Sequence, residues 1–222
     1  MSVFNKMIFL DLETDSLNLD TAQITQIALV GVINDVIVDT LEIKIKFDDT
    51  KGNQEALAKG HYDPEVWAKE AVDFKTAADM IDNFQRKYKW VRREKKNKPG
   101  TYATCMMGGH NIFKFDGPIL RRHYKEYDKF CPFDFTVGYD SLASMQNYCA
   151  KAGMVYRSIG MEALCEMFDV QNKLPHHALY DAMANVEVAL KIHEMEVEYY
   201  GPQYVAPVIE EKNIVVPDVI DI

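Results

Sequence analysis

The stretch "VFNKMIFLDL", residues 3–12, ends in a compact apolar run just ahead of Glu13, and its reading decides the fold. Taken as a β-strand, it carries Asp11 and Glu13 at its C-terminal edge, where a buried element meets solvent. The next segments agree. "QITQIALVGVI" (23–33) is rich in β-branched residues, Asn34-Asp35 reads as a turn, and "VIVDTLEIKIKF" (36–47) alternates apolar and charged residues in its second half. Three strands in succession predict an antiparallel meander with the third near an edge.

Further along, residues 48–61 are polar with two glycines and predict a loop. Asp63 and Pro64 have the chemistry of a helix start, for a short helix over 63–71. Ala77, Met80, Ile81, Phe84, Tyr88 and Val91 fall at helical spacing, which predicts one long helix stopped by Lys98-Pro99-Gly100. Residues 101–112 read as a buried strand and 116–127 as a helix. Residues 133–140 then form a short strand feeding a helix over 141–153. Ser158 is placed to cap a helix over 159–168, and a last long helix runs from about 178 to about 200. A meander followed by alternating helix and strand predicts an α/β fold, a mixed sheet flanked by helices. Residues 1–200 are expected to form one domain, and 201–222, with three prolines, an extension of it.

The composition is that of a soluble globular protein: 222 residues, 48% hydrophobic and 27% charged. Cys105, Cys131, Cys149 and Cys165 are scattered without a Cys-x-x-Cys pair, which favours free thiols in a reducing compartment over a zinc site. The N-terminus has no signal-peptide pattern and no apolar run approaches a membrane span, so a cytoplasmic protein without membrane contact is expected. A net charge of −9 argues against coating nucleic acid by bulk electrostatics. The charge is uneven, however. Residues 86–98, "RKYKWVRREKKNK", hold eight basic residues and one acid, a local +7 that leaves −16 on the rest. The strip reads equally as a phosphate-tracking arm or as a solvated helix end.

Asp11 and Glu13 are two apart on a strand, so both carboxylates lie on one face and can converge on one cation. Thr14-Asp15-Ser16-Leu17 then forms a turn able to offer backbone amides. Asp116 stands between a strand and a helix, where an N-cap is the plain alternative. Asp181 stands in the first turn of the last helix, where an acid also favours the helix dipole. Together the four carboxylates are a hard oxygen set that suits Mg²⁺ or Mn²⁺.

In this order, "DLET", "HN…FD" and "H-x-x-x-x-D" resemble the motifs of the DEDDh branch of the DnaQ-like 3'→5' exonucleases, over nearly the whole chain from Asp11 to Asp181. "DSL" at Asp140 looks like that family's strand-end Asp-Ser/Thr-Leu. The three residues between Asn111 and Phe115-Asp116 look more like exonuclease I and stand-alone phage-type exonucleases than proofreading subunits. The resemblance implies a ribonuclease H-like fold and a two-metal phosphodiesterase. In it, Asp11, Glu13 and Asp181 hold one ion, while Asp11 and Asp116 reach a second. The family's spacing selects His176 as general base. Helix geometry alone favours His177, which shares a face with Asp181 if the helix already includes it. Pro175 and the stripe Leu179, Ala182, Val186, Leu190 start the helix near Ala178, leaving His177 as a neighbour that helps position substrate.

The resemblance also implies that Thr14, Ser16 and Leu17 contact the terminal nucleotide and that Asn111 supports the scissile phosphate. Trp67 reads either as a base-stacking residue of the nucleotide channel or as a core tryptophan. The implied substrate is the 3' end of single-stranded DNA, with release of nucleoside 5'-monophosphates. RNA is the nearest alternative in the same chemistry, and a non-catalytic binding relative is the alternative of another class. An unrelated α/β hydrolase lacks support, since neither a Gly-x-Ser-x-Gly elbow nor a Walker-type loop occurs.

Overall fold

A computed structural model describes residues 2–95 and 99–201; the expected extension therefore lies, beyond Gly201, outside the described residues. The meander forms as the sequence predicts. β1 (Lys6–Thr14) pairs antiparallel with β2 (Ile24–Ile33), and β2 with β3 (Val36–Lys44). Asn34 (φ 50°) and Asp35 (φ 67°) turn the chain in the left-handed region, which Asn and Asp tolerate best among residues with a Cβ. β5 (Thr101–Gly109) lies parallel to β1, and β6 (Phe133–Asp140) parallel to β5. With β4 (Lys89–Glu94), the result is a six-stranded mixed sheet of order β3-β2-β1-β5-β4, with β6 also on β5 and β3 at an edge.

Three sequence expectations are corrected. The predicted long helix stops early: the third helix, α3 (Phe74–Gln85), gives way to a 3₁₀ turn (Arg86–Tyr88) and then to β4 (Lys89–Glu94), antiparallel to β5. The described part of the basic strip is thus mostly strand, and its residues 96–98 lie outside the described residues. Pairing with β5, a partner about ten residues away, satisfies backbone groups and overrides the helical spacing of Tyr88 and Val91. Gly100, at φ +113°, closes this hairpin by accepting a hydrogen bond from the Lys95 N–H at 2.9 Å.

The expected loop over 48–61 contains α1 (Gln54–Lys59), capped by the Asn53 side chain. α2 (Pro64–Glu70) has Asp63 as its cap, as predicted. In contrast, α6 (Met161–Phe168) starts from Gly160, and Ser158 only accepts a bond from the Gly160 N–H at 3.3 Å.

β1 shows how the sheet divides its two faces. Ile8, Leu10 and Leu12 point into a core with α3 and α4 (Asp116–Glu126), through Phe74, Ala77, Ile81, Ile119 and Leu120. The odd-numbered Met7 and Phe9 face the last helix, α7 (Ala178–Tyr200), which presents Ala178, Ala182 and Ala189 and so packs closely. A third cluster joins α7 to α5 (Ser141–Ala152) and α6. The four cysteines are free thiols, and burial pushes Cys105 and Cys131 up to about 12, far from thiolate chemistry. No helix among the described residues is long and apolar enough to cross a membrane.

Candidate active site

The odd-numbered row of β1 does not end at Phe9. Asp11 and Glu13 continue it onto the face covered by α7, at the level where that helix begins. Asp181, in the first turn of α7, meets them there. One carboxylate oxygen from each of Asp11, Glu13 and Asp181 lies within 4.8 Å of the others. Asp116 arrives from the opposite layer as the first residue of α4. Its carboxylate caps no helix; it is buried and accepts from the Leu12 N–H of β1 at 2.9 Å, which rules out the N-cap alternative. The four acids line one open pocket of about 320 Å³, within the range of small-ligand sites, together with Leu17, His110, Asn111, Met161, His176 and Asn185.

The carboxylates repel one another where water cannot screen them. Burial holds Asp11 well above the usual carboxylate range, and Asp116, Glu13 and Asp181 push it further. Glu13 is raised to about 8 by burial and then by Asp181 and Asp116, against the pull of Lys59 on α1. Burial raises Asp116 to about 7 despite the Leu12 N–H. Asp181 is raised by burial, although Asn172 Nδ2 and the His176 N–H (3.0 Å) both donate to it. Among the described residues no lysine or arginine forms an ion pair with any of the four. An all-oxygen anionic cluster with no ion-paired lysine or arginine among the described residues fits a hard divalent cation such as Mg²⁺ or Mn²⁺.

The paired histidines part company. His176 precedes α7 in the left-handed region (φ 62°), lines the pocket, and places Nε2 2.9 Å from Glu162 Oε1 of α6. His177 is the N-cap residue of α7 and turns towards β2 and β3. Its Nε2 lies 3.5 Å from Gln26 Nε2 and 3.6 Å from Glu42 Oε1. Leu17, 85% exposed, stands at the rim. Asn111 also lines the pocket, with a left-handed backbone (φ 58°) whose N–H bonds Asp140 at 3.0 Å. Asp140, the acid of "DSL", caps α5 through the Leu142 and Ala143 N–H groups and so ties that turn to β6.

Four expected contacts, His177 and three others, do not line the pocket. Trp67 is buried, donates through Nε1 to the Thr25 carbonyl at 3.2 Å and packs on Tyr62, so it is the core tryptophan of the two alternatives. The Thr14 hydroxyl donates to the Ser16 carbonyl at 2.8 Å, and neither residue lines the pocket. Conversely, sequence reasoning passed over His110, Asn172 and Asn185. His110 adjoins Asn111 and bonds Ser141 Oγ at 2.9 Å, with burial holding its imidazole low and neutral. Asn185 follows Asp181 by one helical turn, a spacing that marks it in hindsight. Asn172 acts from a loop and carries no sequence signal.

No protein-family model and no curated protein sequence matches the chain. Solved structures do. E. coli exonuclease I, in a zinc-bound complex with single-stranded DNA, aligns with a TM-score of 0.65 at 16% identity over 88% of this chain and 42% of that one. The fold is the ribonuclease H-like fold of exonuclease I. The exonuclease I of Methylocaldum szegediense aligns equally well (TM-score 0.65, 19% identity, 88% and 42% of the two chains). Cell-death related nuclease 4 also aligns (TM-score 0.65, 14% identity, 86% and 64%). The structural neighbours are thus exonuclease I and related DnaQ-like 3'→5' exonucleases, and at these identities the likeness is one of fold. The chain spans about two fifths of the length of the exonuclease I chains.

Proposed function

We propose that this chain is a metal-dependent 3'→5' exonuclease that hydrolyses single-stranded DNA from its 3' end and releases nucleoside 5'-monophosphates. The observation that carries this reading is the convergence of Asp11, Glu13 and Asp181 within 4.8 Å in one pocket that Asp116 also lines. The fold shared with exonuclease I, crystallised with single-stranded DNA, supports the substrate class.

Asp11, Glu13 and Asp181 would hold one divalent ion, and Asp11 with Asp116 a second. Such ions supply charge neutralisation at the attacked phosphate and at the leaving 3'-oxygen. His176 takes the proton of the attacking water. Its Nε2 lies against Glu162 Oε1, and the tautomer that donates there keeps its lone pair on Nδ1. Asn172 and the His176 N–H fix the orientation of Asp181. Leu17 at the rim packs against the terminal base, and Asn111 supports the scissile phosphate. His177, and Thr14 and Ser16 through the shape of their turn, act on substrate less directly.

Purified Asp11→Ala and Asp181→Ala proteins should both lose Mg²⁺-dependent cleavage of a labelled single strand. Retained cleavage in either one removes the site assignment. Parallel digestion of DNA and RNA strands of one sequence should favour DNA; faster loss of the RNA makes the enzyme an exoribonuclease.

A further inference from the structure

Asn185 lies one helical turn beyond Asp181 on the same face of α7 and lines the pocket with Asp11, Glu13 and Asp116. It is 2% exposed, and its Oδ1 is buried without a hydrogen-bond partner. The helix around it is apolar. Ala182, Val186 and Ala189 pack on the sheet, while Ala184 and Val188 pack in the cluster that α7 shares with α5 and α6. Packing alone would favour leucine here, which has nearly the same shape and no orphaned acceptor. The pocket that Asn185 lines is where a donor can reach its carboxamide. Once a cation holds the carboxylates ionised they cannot provide it, because they then only accept. Nor does Asn185 orient Asp181, whose carboxylate is already held by Asn172 and the His176 N–H.

We propose that Asn185 is a positioning residue for the divalent ion, its carboxamide oxygen accepting a hydrogen bond from a water in the ion's coordination shell behind Asp181. The inference rests on the metal-dependent reading of the site. A cation polarises its water into a strong donor, so an uncharged acceptor facing the site gains a partner only when the ion is bound. A neutral amide also does this without adding a fifth negative charge to four that already repel.

The test is calorimetric titration of Mn²⁺ into the full chain, for wild type, Asn185→Leu, Asn185→Ala and Asp11→Asn. Asn185→Leu should melt at or above the wild-type temperature without metal yet bind Mn²⁺ about 10–100-fold more weakly. The Mg²⁺ concentration for half-maximal cleavage should rise by a similar factor, with a smaller change at saturating metal. Asn185→Ala should show the same loss of affinity, which keeps the test intact if the leucine variant does not fold. Wild-type Mn²⁺ affinity in either variant overturns the inference, as does a lowered melting temperature with unchanged affinity, the mark of a purely structural role. If Asp11→Asn abolishes binding while the Asn185 variants keep it, the metal reading stands and this inference alone fails. A wild-type protein that binds no Mn²⁺ removes both.

Discussion

His176 and His177 are neighbours in the chain and opposites in environment. His176 shares the pocket with the four carboxylates, whereas His177 faces Gln26 and Glu42 across α7's first turn. A general base contributes about 10²–10⁴-fold, so His176→Ala should lower kcat by at least the smaller factor. His177→Ala should stay within a few-fold. Single-turnover cleavage of one oligonucleotide by both variants checks this, and an active His176→Ala beside an inert His177→Ala reverses the assignment. The carboxylates make a second prediction. Asp11→Asn should raise the melting temperature of the metal-free protein, because it removes one of four charges that burial and mutual repulsion disfavour. At this chain size each kcal/mol is worth about 2–4 °C, and the same variant should lose its stabilisation by Mg²⁺. At this scale the acids were legible in the sequence because a strand's period of two and a helix's first turn fix where they point. The roles of Trp67, Thr14 and Ser16 were not, since whether a side chain is buried or spent on a local hydrogen bond depends on partners distant in sequence.

Among the elements, β1 and α7 make the site. β1 sends its apolar even-numbered residues to one core and continues its odd-numbered row from Phe9 into Asp11 and Glu13. α7, starting at Ala178, delivers Asp181 to the same level. Both elements were readable because their periodic patterns are long and local. β4 was not. Its residues carry a helical stripe, and only the ladder to β5 makes them a strand. The short helix α1 was hidden too, in a polar segment where the Asn53 cap was the main signal; it puts Lys59 near Glu13. The packing under the meander gives an element-scale test. A Cβ on Gly31 of β2 would overlap the buried Tyr88 ring, so Gly31→Ala should destabilise the fold by about 1–3 kcal/mol. Urea unfolding measures that loss, and wild-type stability would contradict the packing described.

The whole molecule is acidic, yet the clustered acids of its candidate site sit far from their ordinary ionisation. Glu13 rises from 4.5 to about 8 on folding, so the folded state binds protons more readily than the unfolded chain. The stability this contributes is complete below about pH 4.5 and is lost as pH rises through about 8. Mg²⁺, binding the deprotonated cluster of the folded state, should therefore raise the melting temperature more at pH 8 than at pH 6. Thermal scans in chelator and in excess Mg²⁺ test this, and an equal or larger shift at the lower pH contradicts it. The basic strip around β4 is the other whole-molecule feature. Reversing Arg92, Arg93, Lys95 and Lys96 should weaken strand binding and flatten its salt dependence. Unchanged affinity and slope would make the strip a solvated edge.

The central claim, a metal-dependent enzyme that works from a free 3' end, is tested most directly by one degradation assay. A 5'-labelled single strand with a free or a blocked 3' end is incubated with and without Mg²⁺. Stepwise shortening of the free-ended strand alone, and with Mg²⁺ alone, is the predicted result. Equal loss of the blocked strand, or cleavage that persists in chelator, would contradict it.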